Sequence, residues 1–140
     1  MKFSLLMSVY FNEKIENLNE LFVSIKNQTL IHDEFVIIVD GKINNNLHKE
    51  INLFKEYDKK TKVYYLDKNV GLAKALNFGL LKVSNEITLR CDSDDIYLPK
   101  RNEKMINLFK LFPNLVLAGA YVQEFSKGSD YVFTRKTPIN

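Results

Sequence analysis

The chain has 140 residues, 46% of them hydrophobic and 26% charged, which is the size and composition of a single globular domain with a real core. Its 20 basic residues against 17 acidic give a formal charge of +3, spread along the chain without an arginine–lysine stripe interleaved with aromatics, so nucleic acid is not an expected partner. One cysteine, Cys91, excludes an intramolecular disulfide framework and a cysteine-rich zinc site, and points to a reducing, cytoplasmic setting.

Lys2 followed by Phe3 to Val9 has the outline of a short signal-peptide core. Asn12-Glu13 follow at once, however, and no small-x-small cleavage site is present, so Phe3 to Tyr10 reads as a strand covered on both faces. Asn12 is placed to cap a helix whose apolar residues Ile15, Leu18, Leu21, Phe22 and Ile25 recur at helical spacing. A second β-branched run, Glu34 to Val39, stops at Asp40-Gly41. Leu47, Ile51 and Phe54 line one face of a second helix, and Val63 to Leu66 is a third strand. From Val70 to about Val83 the apolar residues again follow helical spacing, and Glu86 to Cys91 is a fourth strand. Pro99 suits the first turn of another helix, with Met105, Phe109 and Phe112 as its buried stripe. Leu115 to Val122 reads as a fifth strand, and Ser126-Lys127-Gly128-Ser129 as a hairpin turn. No apolar run approaches the ~20 residues that span a bilayer.

Strand and helix thus alternate along most of the chain, which predicts an α/β fold with a mainly parallel sheet and helices on both faces. Ligands bind such sheets outside the carboxyl ends of the strands. The residues to inspect are therefore Tyr10 to Glu13, Asp40-Gly41, Asp67 to Gly71, and Asp92 to Asp95.

The strongest chemical signal is Arg90-Cys91-Asp92-Ser93-Asp94-Asp95. Three carboxylates crowd the end of a buried strand, where their repulsion calls for a compensating cation. Hard oxygen ligands suit Mg²⁺ or Mn²⁺ with positions left open for phosphate oxygens. The competing reading is a solvated acidic loop whose Asp95 caps the next helix. Asp40, at the end of its strand, can accept a hydrogen bond from a base or ribose, or serve only as a turn residue before Gly41. In Asn69 to Asn77, Gly71 permits close backbone approach and Lys74 can meet a phosphate near a helix N-terminus, although Lys74 is equally a surface lysine. Tyr10 can stack on a base or pack the sheet edge. Cys91 reads as a small core residue, and His32 and His48 as surface histidines.

In order along the chain, Ser4 to Tyr10, Val36 to Gly41, Asn69 to Asn77, Arg90 to Asp95 and Leu98-Pro99-Lys100-Arg101 resemble the large family of inverting glycosyltransferases with the A-type fold, family 2 in the usual sequence classification. The resemblance covers nearly the whole chain. It implies a Rossmann-like nucleotide-diphospho-sugar transferase (GT-A) fold, with Ser8, Val9, Tyr10 and Asp40 around the nucleobase and ribose. It further implies Asn69, Gly71 and Lys74 near the nucleotide, and Asp92 and Asp94 as a D-x-D motif for Mn²⁺ or Mg²⁺. In that motif Asp94 is the direct metal ligand, Asp92 lies nearer the ribose and sugar, and Asp95 supports them. The implied donor is a nucleotide-diphosphate sugar, a UDP-sugar first among them, and the implied acceptor is a saccharide or a lipid-linked one in polysaccharide biosynthesis.

The chain also departs from the family pattern. Many members carry a second Asp where Gly41 stands, and an arginine where Leu76 stands. Members usually continue for roughly another half-domain that supplies the acceptor site and a carboxylate general base. Residues 1–140 are therefore expected to be the nucleotide-sugar-binding part, with the base outside them and any peripheral membrane association carried by other regions. The alternatives are a non-catalytic nucleotide-binding module of the same fold and a nucleotidyltransferase. The latter calls for a glycine- and basic-rich loop where Tyr10-Phe11-Asn12-Glu13 stands.

Overall fold

Phe3–Val9 and Glu34–Asp40, the two most continuous apolar runs, form strands β1 and β2. Every residue of β2 is buried, and in β1 only Ser8 is not fully so. That is the burial expected of inner strands covered on both faces. The structure, a computed structural model, describes residues 1–125 and 132–136. Between and after these strands come α1 (Ile15–Lys26), α2 (Asn45–Tyr57), β3 (Thr61–Leu66), α3 (Leu72–Leu80), β4 (Ile87–Asp92) and α4 (Arg101–Leu111). β5 (Val122–Phe125) and β6 (Val132–Arg135) pair antiparallel. The chain divides into two units, residues 1–106 and 107–140, of which the first holds the main sheet and the second the β5–β6 pair.

The main sheet has the order β3-β2-β1-β4, and every pairing in it is parallel. Side chains alternate across it, so each strand feeds two cores. On one face Leu6, Val36 and Ile38 pack with Ala75 of α3, with Tyr64, Leu76 and Phe78 around them. On the other, Phe35 meets Phe22 of α1 and Phe54 of α2 edge-on, and the Phe22 and Phe54 rings stack with centroids 4.1 Å apart. Helices thus cover both faces, as the alternation of runs predicts. Each such buried ring contributes about 1.5–3 kcal/mol over an exposed one.

Several local expectations are corrected. Lys14, not Asn12, is the N-cap residue of α1, and no side chain caps it; Glu13 Oε1 accepts from Lys14 N instead. α4 begins at Arg101, so Asp95 does not cap it, and its buried residues are Asn102, Met105 and Ile106, whereas Phe112 is exposed. Asn102 is inward because it bonds Gln28 and Leu30 across 72–74 residues, a tie that helical periodicity cannot show. Residues 115–121 form no strand, and only Val122 of that run belongs to β5. An apolar run becomes a strand only where another backbone accepts its ladder, and among the described residues none pairs with 115–121. His32 is buried rather than at the surface, its Nε2 2.7 Å from Asp58 Oδ2. The turn expected at Ser126 to Ser129 lies outside the described residues.

Candidate functional site

Four parallel strands end at one edge, which gathers the residues that follow them. In the order β3-β2-β1-β4 the direction of winding reverses between β1 and β4, where sheets of this kind open a crevice. A cleft of about 570 Å³ lies there. Ser8 and Tyr10 line it from β1, Asp40 from β2, Asn69, Gly71 and Leu72 from the connection to α3, and Arg90, Asp92, Ser93 and Asp94 from β4 and its loop. The register sets Ser8 beside Asp92, so the first strand and the acidic loop meet directly. Asn12, Glu13, Lys14 and Asn17, at the entry to α1, complete the wall. A second hollow of about 370 Å³, lined by Asn52, Lys55, Glu56, Lys59 and Thr61, lies towards the amino end of β3, away from the ligand edge.

Asp40 is 2% exposed, and both of its carboxylate oxygens are in use. Oδ1 accepts from Val70 N at 2.7 Å and Oδ2 from Gly71 N at 3.0 Å, while Asn69 Nδ2 donates to the Asp40 carbonyl at 3.2 Å. The carboxylate thus takes the amides that open α3 and fixes the loop carrying Asn69 and Gly71. Gly41 makes this approach feasible. Its φ is +81°, and a Cβ there would lie 2.5 Å from the Asn69 nitrogen. Glycine at 41, where many members of the resembled family have Asp, is therefore required by the backbone of this chain.

In the acidic loop, Arg90 holds Asp92 Oδ1 through Nε at 2.9 Å and through Nη2 at 2.8 Å. Asp92 N donates to the Tyr97 hydroxyl at 3.0 Å, and burial pushes that hydroxyl's pKa up, keeping it neutral. Ser93 is 7% exposed and its hydroxyl donates to Glu13 Oε2. Asp94 is exposed and makes no hydrogen bond or ion pair among the described residues. Burial, reinforced by the charges of Asp92 and Asp94, pushes the Asp95 carboxyl above the usual carboxylate range. Cys91 is buried and its thiol is pushed up to about 11 by that burial, so it remains a protonated core residue.

The donor set suits a hard divalent cation: its atoms are carboxylate oxygens, Asp94 makes no hydrogen bond or ion pair among the described residues, and the neighbouring Asp95 is held up by burial and by like charge that a cation would offset. Among the described residues no three His, Cys, Asp or Glu side chains converge as a ready-made cage. The chain would therefore give one or two ligands and leave the rest to phosphate oxygens, as Mg²⁺ sites commonly do.

Of the residues singled out in the sequence, the cleft brings together Ser8, Tyr10, Asp40, Asn69, Gly71, Asp92 and Asp94. Val9 is wholly buried and Lys74 is exposed on α3, and neither lines the cleft. Lys14, Asn17, Arg90 and Ser93 line it without having been assigned a role. Arg90 had a signal, since it is two residues from Asp92 on the same face of a strand. Asn17 had none, because a polar residue in the first turn of a helix is ordinary.

Residues 4–139 match the sequence model of glycosyl transferase family 2. The chain belongs to that family. It is 40% identical over 125 residues to the amylovoran biosynthesis glycosyltransferase AmsE of Erwinia amylovora, covering 89% of this chain and 47% of that protein. It is 36% identical over 124 residues to an Escherichia coli UDP-Gal:alpha-D-GlcNAc-diphosphoundecaprenol beta-1,3-galactosyltransferase, covering 89% of this chain and 45% of that one. Among solved structures it resembles S. aureus TarS 1-349 in complex with UDP-GlcNAc, with a TM-score of 0.66 and 26% identity over 79% of this chain and 32% of that chain. The GT-A glycosyltransferase fold is thereby shown. This family 2 chain spans about half the length of the curated relatives it matches. No helix among the described residues is long and apolar enough to cross a membrane.

Proposed function

We propose that this chain forms the nucleotide-sugar-binding part of an inverting glycosyltransferase that moves a sugar from a UDP-sugar to an acceptor hydroxyl. The observation that carries this reading is the convergence of Ser8, Asp40 and the Asp92-Ser93-Asp94 loop on one cleft at the winding reversal of the sheet. Ser8, Tyr10, Asp40 and Asn69 surround the base and ribose, with Val9 buried behind them, and Gly71 lets the nucleotide approach the backbone closely. Lys74, one turn into α3, serves the nucleotide only from the rim. Asp94 would hold Mn²⁺ or Mg²⁺, and Asp92, already paired with Arg90, faces the ribose and sugar. UDP is favoured because the galactosyltransferase relative is named for UDP-Gal and TarS was solved with UDP-GlcNAc.

The acceptor hydroxyl attacks the anomeric carbon as UDP leaves, and a direct displacement inverts that centre. When bound, the divalent ion neutralises the charge that develops on the departing diphosphate. Arg90 and Lys14 are the cations of the cleft wall, and they supplement that neutralisation. The carboxylate that takes the hydroxyl proton, a contribution of about 10²–10⁴-fold, belongs to the acceptor half of the whole protein. The acceptor is a saccharide or lipid-linked saccharide of polysaccharide assembly. The enzyme works at the cytoplasmic side, with any membrane association carried by regions outside this chain.

Calorimetric titration with UDP, with and without Mn²⁺ and repeated on Asp94→Ala, tests the reading. Binding that requires both the metal and Asp94 supports it. No binding of UDP at millimolar concentration, weaker than about −4 kcal/mol, removes it.

A further inference from the structure

Glu13 has no part in the donor chemistry above, yet it joins two walls of the cleft. Its Oε1 accepts from Lys14 N at 2.8 Å and from Asn17 Nδ2 at 3.3 Å, and its Oε2 accepts from the hydroxyl of Ser93. Ser93 lies between a half-buried Asp92 and an exposed Asp94, so the middle residue of the acidic triplet turns inward where its neighbours turn out. The loop backbone is closed at Asp95 N, which donates to the Asp92 carbonyl at 3.2 Å, and held at Asp92 N by Tyr97. Both of those contacts are local. The Glu13–Ser93 bond spans 80 residues and ties the loop to the entry of α1.

The identity of the tie carries the argument. A carboxylate beside Asp92, Asp94 and Asp95 adds negative charge where it is already concentrated, and an amide would make the same link with less repulsion. Its charge does what an amide would do less well: it strengthens the bond to Ser93.

We infer that Glu13 is the positioning residue of the acidic loop: through Ser93 Oγ it fixes the direction in which Asp94 presents its carboxylate to a divalent ion shared with a nucleoside diphosphate. This inference rests on the donor-site reading. Glu13 stands in the cleft wall, and its effect on Asp94 passes through Ser93.

The test uses this chain with Glu13→Ala, Ser93→Ala, the double variant and Glu13→Gln. Two quantities are read, the Mn²⁺ concentration that half-saturates UDP binding and the hydrogen-exchange rates of the amides from 92 to 97. Each alanine variant is expected to raise the half-saturating Mn²⁺ about tenfold, the usual cost of losing a partner that orients a metal ligand. The double variant should be no worse than the weaker single, because both break one link. Glu13→Gln, which can still accept from Ser93, should recover part of the loss. Exchange of the loop amides should quicken in both alanine variants while the melting temperature stays close to that of the unaltered chain. Ser93→Ala removes one oxygen and carries the test if Glu13→Ala fails to fold. Unchanged Mn²⁺ dependence in both single variants, or effects that multiply in the double, overturns the inference. If the unaltered chain binds no UDP with Mn²⁺, the donor-site reading fails instead. The exchange rates then decide the tie alone: unchanged rates remove it, and faster rates in both alanine variants retain it.

Discussion

Glu34 sits at the amino edge of the sheet, at the end opposite the cleft, and binds the beginnings of β1 and β3 and the segment ahead of β4. Its Oε2 accepts from Ser4 Oγ at 2.6 Å and Ser84 N at 2.7 Å, and its Oε1 from Lys62 Nζ at 2.6 Å and Ser84 Oγ at 2.8 Å. Burial alone would raise the carboxyl, but the bonds from Lys62, Ser4 and Ser84 outweigh it and hold the pKa at about 2 against an ordinary 4.5. A folded pKa below the unfolded one means stability that is fully present above the unfolded value and lost as the pH falls through the folded one. Between pH 4.5 and about 2 the chain should therefore lose stability steeply, with Glu34 accounting for on the order of 3 kcal/mol. Urea unfolding across that window should show the loss. Glu34→Gln should be less stable at neutral pH and flatter in acid, and a variant as pH-sensitive as the original would refute the assignment. Asp58 adds in the same sense: burial raises it, but hydrogen bonds from His32 and Thr61 hold it below the usual range. Neither role was legible in the sequence. Glu34 looked like the polar start of a strand and His32 like a surface residue, because their partners stand 26 to 50 residues away. Asp92 and Asp94 stand out in the sequence because their acidic company is local, and both line the cleft.

The loop after β2 and the loop before α3 are built as one piece, and two glycines separate close approach from backbone preference. Gly41 and Gly71 both have positive φ, 81° and 88°. At Gly71 an added Cβ would meet nothing within 4 Å, whereas at Gly41 it would meet backbone atoms of Asn69 and Lys68 at 2.5 and 2.9 Å. Gly71→Ala should therefore cost only the backbone conformation, φ 88° with ψ 155°, which is essentially confined to glycine, about 1–3 kcal/mol. Gly41→Ala must also push residues 68–69 aside and so pull Val70 and Gly71 off the Asp40 carboxylate. Its loss should exceed that of Gly71→Ala by about another 1–3 kcal/mol, and it should weaken UDP binding by displacing the loop. Equal losses in denaturant unfolding would show that the loop yields more easily than its packing implies. From the sequence, Gly71 reads as the point of close backbone approach and Gly41 as a turn after Asp40, whereas within the folded chain the close approach is at Gly41. Only the register of Asp40 against Leu66, which sets where the two loops pass, distinguishes them.

At the scale of the molecule, the architecture was readable because inner parallel strands are apolar on both faces and helices are apolar on one, so the two periods alternate visibly along the chain. The same logic misread residues 115–121, where Val116 and Leu117 are 93% and 83% exposed. Apolarity signals burial but not the partner that supplies it. The cleft inherits its strength from the sheet, since its walls come from segments after β1, β2, β3 and β4, joined through the strands behind them and by the Asp40 and Glu13 bonds between neighbouring loops. A ligand touching all of them binds the folded chain and not the unfolded one, and so stabilises it in proportion to occupancy. At a hundred times its dissociation constant, UDP with Mn²⁺ should add about 2.7 kcal/mol and raise the melting temperature by about 5–15 °C. UDP alone or Mn²⁺ alone should give a small fraction of that shift, because the chain offers too few ligands to hold the ion without the diphosphate. Asp94→Ala should melt near the unliganded temperature of the original and lose the joint shift, since its side chain is exposed and makes no hydrogen bond or ion pair among the described residues. A full shift in that variant would move the metal away from Asp94, and an equal shift with UDP alone would mean that the nucleotide is held without an ion.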